Sequence, residues 1–531
     1  MRLPRTAALV GVALLVGAVG PVVLVAALAL LGSRRVRDWL RPTWRVVAGW
    51  TVAVVALAGL VIVVPDGWLP IPPGPGAAVT PAYVGRAARA QPIEMAVPQH
   101  PHLAANGRSG RHNDAWSSGA YAGPGPLGDS VEVDSAWFGM RACATVAVDA
   151  HDRLVVLCEG RAAATLRVLD AETMRPLATK DLPGRPEGDG PAAQSPCGRS
   201  AFYLDDRDRA VVATTDRRVL VVRTDDADGA ADLTTDLAHD LSAHVPADDC
   251  LVALLPDWGG RIWWASRDGR VGAISAGGPG GTGGAEVTDL GEPITGSLSA
   301  DRDGGVFVAT TAALYKLAAD PAERPSVRWR APRGGGERPD GPLAGDPAPT
   351  ILPGGVLAGT DHGGGRLQVV FRRTGDGSEV CRATVFDEGS AATRSALVAV
   401  GGGVVVENNH GYGGPVRTLL GRTTSPGLAR VDHRDGACTV AWTSPEVAPS
   451  AAAKVSLATG LLYTWTKPRS WWGVDAWYLT AIDARTGRTR FSVRAGLGAL
   501  RDNHGAAVTL GPDGSAYVAT LGGMVRVRDK R

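Results

Sequence analysis

The chain of 531 residues carries 55 basic against 53 acidic side chains, a formal net charge of +2. That balance supplies no basic face of the kind nucleic acid requires, so a nucleic-acid partner is excluded from the expectations. Its 70 glycines and 37 prolines are dispersed at turn-like spacing between apolar runs, the pattern of many short elements joined by tight turns and not of a disordered chain.

At the amino terminus, Ala7 to Gly32 is 26 residues without a charge, long enough to cross a bilayer as a helix. Pro21 interrupts the run, which a membrane helix tolerates. A second uncharged run extends from Val46 to Pro65, and between the two lie Arg34, Arg35, Arg37, Arg41 and Arg45 against the single acid Asp38. Trp39, Trp44, Trp50 and Trp68 stand near the ends of the runs, where amphipathic rings favour the membrane interface. The reading is a transmembrane hairpin over residues 1–69, with helices at about 7–32 and 46–65 and the basic loop 33–45 in the cytoplasm by the positive-inside rule. The soluble part is then extracytoplasmic and the chain a two-span protein of the cell membrane. A cleaved signal peptide is the rival reading of the first run, although the run exceeds a normal signal core and lacks a clear A-x-A-like site.

Residues 70–129 form a Pro/Gly-rich tether and arm. PIPPGPGAAVTP is stiff and extended, of the polyproline kind. The following HPHLAANGRSGRHNDAWSSGAYAGPGPLG is full of turn formers and is expected to lie on the surface of the next domain.

From residue 130 to 531 short β-rich runs alternate with Gly/Asp turns, with no amphipathic helix of useful length. One phrase recurs: DDRDRAVVATTDRRVLVVR, DRDGGVFVATTAALYKL and GPDGSAYVATLGGMVRV are three of its copies. The second strand of each copy starts near residues 154, 210, 262, 306, 356, 404, 461 and 516. Steps of roughly 44 to 57 residues fit a four-stranded blade with its turns. The expected fold is all-β, an eight-bladed β-propeller, with seven blades or a pair of β-sandwiches as alternatives. The last unit stops after three strands, and its fourth can come from Ser130–Asp134, which joins the chain ends and removes an open edge.

Six cysteines stand at 143, 158, 197, 250, 381 and 438, with no CxxC pair, which argues against a zinc ribbon or a thioredoxin-like site. An even number suits an oxidising compartment. Sequence order suggests Cys143–Cys158, Cys197–Cys250 and Cys381–Cys438, the alternative being six buried thiols.

Units such as LRVLDAETMRPLATKDL, YLTAIDARTGRTRFSV and GSAYVATLGGMVRVRD resemble the repeats of the quinoprotein alcohol dehydrogenase-like (PQQ-repeat-like) propellers, over about 400 residues and at the level of repeat grammar. The layout, with SPEVAPSAAAKVSLATGLLYTWTK and TLGPDGSAYVATLGG, also resembles a group of actinobacterial membrane-anchored propeller proteins. The first resemblance implies the fold and would bring PQQ and Ca²⁺ as cofactors. A dehydrogenase of that family would need an adjacent Cys-Cys pair and Trp motifs in most blades; this chain has neither. The likeness therefore supports the fold more than the redox chemistry.

The most unusual polar cluster is Glu407-Asn408-Asn409-His410-Gly411-Tyr412, directly after an apolar strand. Asp502-Asn503-His504, Asp361-His362 and His112-Asn113-Asp114 repeat the pairing of His with Asn or Asp. In a propeller, loops from different blades meet around the channel, so Asn408, Asn409, His410, Tyr412, Asn503, His504, His362 and Asp361 are the ligand-binding candidates. Imidazole beside a carboxylate or amide suits a metal ligand or an acid–base group; the plain alternative is turn chemistry, since Asn and Asp favour left-handed backbone. Asp301-Arg302-Asp303-Gly304 has a calcium-loop form but lacks the Glu that completes an EF-hand, and reads as a hairpin turn. The aromatic insertion Ser470–Tyr478 is either a ligand platform or packing at a blade edge. The expected function is a membrane-anchored extracytoplasmic module that binds a small molecule or an envelope protein. The alternative is an enzyme on the same face, a metal-assisted hydrolase or lactonase, or a quinone-dependent dehydrogenase.

Overall fold

The computed structural model describes residues 3–40, 44, 48–52, 55, 59, 64–110, 112–139, 141–159, 164–183, 201–275, 285–334 and 348–530. Among them the strands form eight sheets, each built on a four-stranded antiparallel meander. The innermost strands are Ala142–Val148, Phe202–Leu204, Leu251–Pro256, Ile294–Ala300, Thr350–Leu352, Val398–Val400, Lys454–Ser456 and Val508–Leu510. Each packs beside the next, and the last blade meets the first, so the sheets close into an eight-bladed propeller.

Second strands begin at Leu154, Ala210, Ile262, Val306, Val356, Gly403, Leu461 and Ala516, within a residue of the eight expected starts. Blades stack face to face, so these strands must be apolar on both sides of the pleat. Val306–Thr310 and Leu461–Thr466 are buried at every position. An outermost strand such as Pro176–Asp181 alternates between half-buried and exposed side chains instead. Tight turns between first and second strands are held by a carboxylate. Asp149 accepts the N–H groups of His151 and Arg153, and Asp205 and Asp257 do the same in their blades. Asp301 is another: it accepts the N–H groups of Asp303 and Gly305 and pairs with Lys316 Nζ at 2.7 Å, so the DxDG phrase is a hairpin turn.

Ring closure uses the strand from upstream. Val131–Trp137 is the fourth strand of the last blade, antiparallel to Gly523–Asp529, with Val131 opposite Asp529 and Trp137 opposite Gly523. Cys143 and Cys158 form a disulfide across neighbouring strands of the first blade. Cys381 and Cys438 join the outermost strands of the fifth and sixth blades. Cys250 is also disulfide-bonded, and its expected partner Cys197 lies outside the described residues. The Cys381–Cys438 bridge spans 57 residues, so changing both to Ser should cost about 2–4 kcal/mol of stability through the looser unfolded chain. Urea titration of the double variant measures this, and a midpoint equal to wild type would refute it.

The expected single helix over 7–32 is corrected. It is two helices, Leu3–Val19 (α1) and Pro21–Leu30 (α2), broken at Gly20 with φ of 116°. The break occurs where Pro21 removes a donor and Gly20 seats against Val474 and Trp472. Among the described residues no helix is long and apolar enough to cross a membrane. The basic loop contains a short helix, Arg34–Leu40. Most of the expected second span lies outside the described residues, with helical backbone at 48–52.

The segment after the helices does not hang free. Gly74 N–H donates to Leu497 C=O, and Tyr83–Gly85 adds an outer strand to the seventh blade. Ile93 N–H then donates to Leu457 C=O at the other end of that blade. The arm expected on the surface instead enters the channel. Val148, Leu204, Ala300, Ile351, Ala399, Val455 and Leu457 donate their N–H groups to arm carbonyls at Arg108, Ser109, Ala115, Trp116, Ser118, Gly119 and Tyr121. Ala120–Tyr121 runs parallel to the innermost strand Lys454–Ser456. Leu103, Ala115 and Tyr121 are buried. Turn-forming residues suit this path because the arm must bend from blade to blade while its carbonyls face inner strands.

Candidate functional site

The channel has two ends. At the lower end, first strands turn into second strands; at the upper end, second strands lead to third strands and each blade passes to the next. The arm occupies the lower end. Asn408, Asn409, His410 and Tyr412 belong to an upper connection of the sixth blade, and Asp502, Asn503 and His504 to the passage from the seventh blade to the eighth.

Beneath the upper mouth lies a buried charged group drawn from three parts of the chain. Asp114 comes from the arm, Glu407 ends the second strand of the sixth blade, and Lys454 starts the innermost strand of the seventh; all three are buried. Asp114 accepts the N–H groups of Trp116 and Ser118 and the Ser118 hydroxyl. Glu407 accepts Thr464 Oγ1 at 2.5 Å and Ala453 N–H at 3.3 Å. Burial pushes the Asp114 carboxyl up to about 6 and that of Glu407 up to about 7, while hydrogen bonds and the charge of Lys454 pull the other way. Burial is the larger effect at both carboxyls.

Above this group, Tyr412 and His504 come together from loops 92 residues apart. Tyr412 OH donates to Asp502 Oδ1 at 2.9 Å and lies 3.0 Å from His504 Nδ1. Thr418 Oγ1 donates to Asp502 Oδ2 at 3.2 Å, and His504 N–H to Oδ1 at 2.8 Å. The Arg394 guanidinium lies 5.9 Å from the Tyr412 ring centre. Burial raises Asp502 to about 6, against these hydrogen bonds. With the Tyr412 hydroxyl donating to Asp502, the phenol oxygen can accept from His504 when Nδ1 carries the ring proton. His504 also holds φ of 44°, a left-handed conformation that costs a residue other than Gly about 1 kcal/mol or more.

The remaining candidates divide. Asn409 is buried and spans loops, accepting Arg394 N–H at 2.9 Å and donating to Ala448 C=O at 3.0 Å. Asn408 accepts Ala392 N–H and donates to Ser390 and Pro426 carbonyls. Asn503 accepts the Ser450 hydroxyl and donates to Ala506 C=O. These three amides tie loop to loop, chiefly through backbone groups, and none of them takes the left-handed backbone of the turn reading. His410 turns to Ser425, with Nδ1 3.1 Å from Oγ. Asp361 and His362 are not part of the mouth cluster. Asp361 is buried at the fifth blade, 3.9 Å from Arg382, in a cleft it shares with Arg333, Arg372 and Thr360. Sequence reasoning missed Lys454, Thr418 and Arg394. A Lys opening a short strand reads as solvent-facing, and only the arm laid across it shows otherwise; an acid ending the run GVVVE was the one local signal for Glu407.

Among the described residues no three His, Cys, Asp or Glu side chains stand where they could share a metal ion. No two cysteines are adjacent in sequence. The mouth cluster offers the carboxylate of Asp502 beside the imidazole of His504 and the phenol of Tyr412, and its chemistry is that of hydrogen bonding over a buried carboxylate.

No protein-family model matches the chain, and no curated protein matches it. Among solved structures it is similar to a europium-containing methanol dehydrogenase, with 12% identity over 78% of this chain and 97% of that one and a TM-score of 0.47. It is also similar to BamB from Moraxella catarrhalis, with 13% identity, 60% and 93% coverage and a TM-score of 0.37. A streptogramin B lyase structure gives 10% identity, 75% and 98% coverage and a TM-score of 0.40. Likenesses of this size carry no activity, ligand or partner across to this chain.

Proposed function

We propose that this propeller is a binding module on the extracytoplasmic side of a membrane, taking a small molecule or a partner protein at the upper mouth. The Tyr412–Asp502–His504 chain of hydrogen bonds carries the reading: it presents a polar group on strained backbone, while the arm occupies the lower end. Disulfides at Cys143–Cys158 and Cys381–Cys438 support an oxidising compartment. The apolar amino-terminal helices, in which Arg5 is the one charged residue, support attachment to a membrane.

Native mass spectrometry with elemental analysis on the full chain tests this. A bound species retained by wild type should be lost about tenfold or more in His504→Ala and Tyr412→Phe, with thermal midpoints within a few degrees of wild type. Tyr412→Phe removes one hydroxyl and keeps the ring, so it separates recognition from packing. Equal retention in both variants would refute the site. A stoichiometric divalent ion or quinone lost with His504 would replace this reading by the enzyme reading.

A further inference from the structure

Two upper connections stand beside the mouth, residues 408–427 of the sixth blade and 467–475 of the seventh. They are locked to each other. Asp475 accepts Leu420 and Gly421 N–H at 3.2 and 2.8 Å and pairs with Lys467 Nζ at 3.0 Å. Ser470 N–H donates to Gly421 C=O at 2.9 Å. A Cβ on Gly421 would lie 2.0 Å from that serine's carbonyl oxygen, so only glycine permits the approach.

On this rigid base four large apolar side chains face outward: Val416 at 75% exposure, Leu420 at 60%, Trp471 at 83% and Trp472 at 50%. Leu420 is held there at φ of 57°. Trp477 and Tyr478, from the same aromatic run as Trp471 and Trp472, are buried, so the run is part packing and part display. The surrounding exposed charges are all cationic, Arg417, Arg422 and Arg469. The Arg469 guanidinium lies 4.6 Å from the Trp471 ring centre. Residues 408–425 and 467–474 contain no Asp or Glu.

The amino-terminal helices meet this same place. Gly20, between α1 and α2, approaches Val474 and the carbonyl of Trp472, and Pro21 lies against Gly473. Gly76 and Ala78 donate their N–H groups to Gly17 and Ala18 carbonyls at 2.8 Å. Leu14, Leu15, Val25 and Leu28 of those helices are exposed, so the helices that meet the loops carry apolar surface of their own.

We infer that Val416, Leu420, Trp471 and Trp472, ringed by Arg417, Arg422 and Arg469, form a docking surface for an anionic phospholipid bilayer, holding the upper face of the propeller against the membrane. Trp favours the headgroup level of a bilayer, where its ring is apolar and its N–H stays hydrated. Arg beside it is drawn to anionic lipid, and an apolar patch with a basic rim binds membranes by burial and charge together. The inference rests on the membrane attachment proposed above, and adds which face meets the lipid.

The test is flotation and hydrogen exchange of the full chain, compared in detergent and in phosphatidylcholine bilayers with and without phosphatidylglycerol. With phosphatidylglycerol, amides of 416–421 and 469–473 should slow at least tenfold, while those of 177–181 in the outer strand stay unchanged. The slowing should fall to twofold or less in the variant Val416→Ser, Leu420→Ser, Trp471→Ser, whose changed side chains are exposed and spare the core. It should also weaken without the anionic lipid. A chain that floats with the bilayer while these loops exchange as fast as in detergent overturns the docking surface alone. A chain that does not float overturns the attachment and the docking surface with it.

Discussion

A chain lacking residues 101–123 will fail to form a cooperative propeller. Seven backbone N–H groups, six on the innermost strands at Val148, Leu204, Ala300, Ile351, Ala399 and Val455 and one just past them at Leu457, have arm carbonyls as partners. At about 1 kcal/mol net for each hydrogen bond, their loss is on the order of 7 kcal/mol. Total stability of a folded protein is about 5–15 kcal/mol, so this is a large part of the whole, and burial of Leu103 and Tyr121 is lost in addition. Water entering the opened channel offsets part of the cost and leaves Lys454 and Glu407 solvated. The deletion variant should show non-cooperative urea unfolding and rapid proteolysis. A synthetic peptide of residues 100–123 added in trans should restore protection. A deletion variant with the wild-type urea midpoint would show that the arm is an occupant of the channel and not a part of the fold.

Stability will fall as pH rises from 5 to 8, and Lys454 will set how steeply. Asp114, Glu407 and Asp502 are raised in the folded chain to about 6, 7 and 6, whereas unfolded Asp and Glu titrate at about 4. Between those values the folded chain holds protons that the unfolded chain has released. Their stabilising contribution is therefore complete below about pH 4 and lost as pH climbs through the folded values. For Glu407, moved from 4.5 to about 7, about 1.4 kcal/mol per unit gives on the order of 3 kcal/mol. Glu407→Gln should flatten this slope, since a neutral amide does not titrate. Lys454→Met should steepen it, because at pH 8 two buried carboxylates lose their cation, at a cost of about 3–5 kcal/mol. At pH 5 both acids are largely protonated and the same substitution should cost little. Urea midpoints at the two pH values for wild type and both variants decide the matter. A Lys454→Met penalty that does not change with pH would refute the electrostatic account and leave a packing defect.

The two effects share one cause. The arm carries Asp114 into the channel and excludes water from Lys454 and Glu407. The mouth cluster sits on top of that filled channel, so Tyr412, Asp502 and His504 are supported from below by packing and not by solvent.

The blade count and the second-strand starts are written locally; the closing strand at Val131 follows from a last unit one strand short, and the disulfides Cys143–Cys158 and Cys381–Cys438 from cysteine order. An apolar run bounded by Asp and Gly turns needs only its own few residues to declare a strand, and a repeated run declares a blade. The break at Gly20 was not legible, because Pro21 in an apolar run suits a tolerated kink equally well. The seat against Trp472 and Val474 selects the break. Nor was the use of Asn409 and Asn503 as loop ties, since Ala448 and Ser450, which they meet, lie 39 and 53 residues away. The arm offered no periodicity at all: its residues pair with six different blades, one or two contacts each. What the sequence determined by itself is whatever short-range periodicity and turn chemistry encode. What only the tertiary structure decided is which side chains meet in the channel. Ring closure brings together residues such as Asp114, Glu407 and Lys454, or Tyr412 and His504, that no local pattern relates.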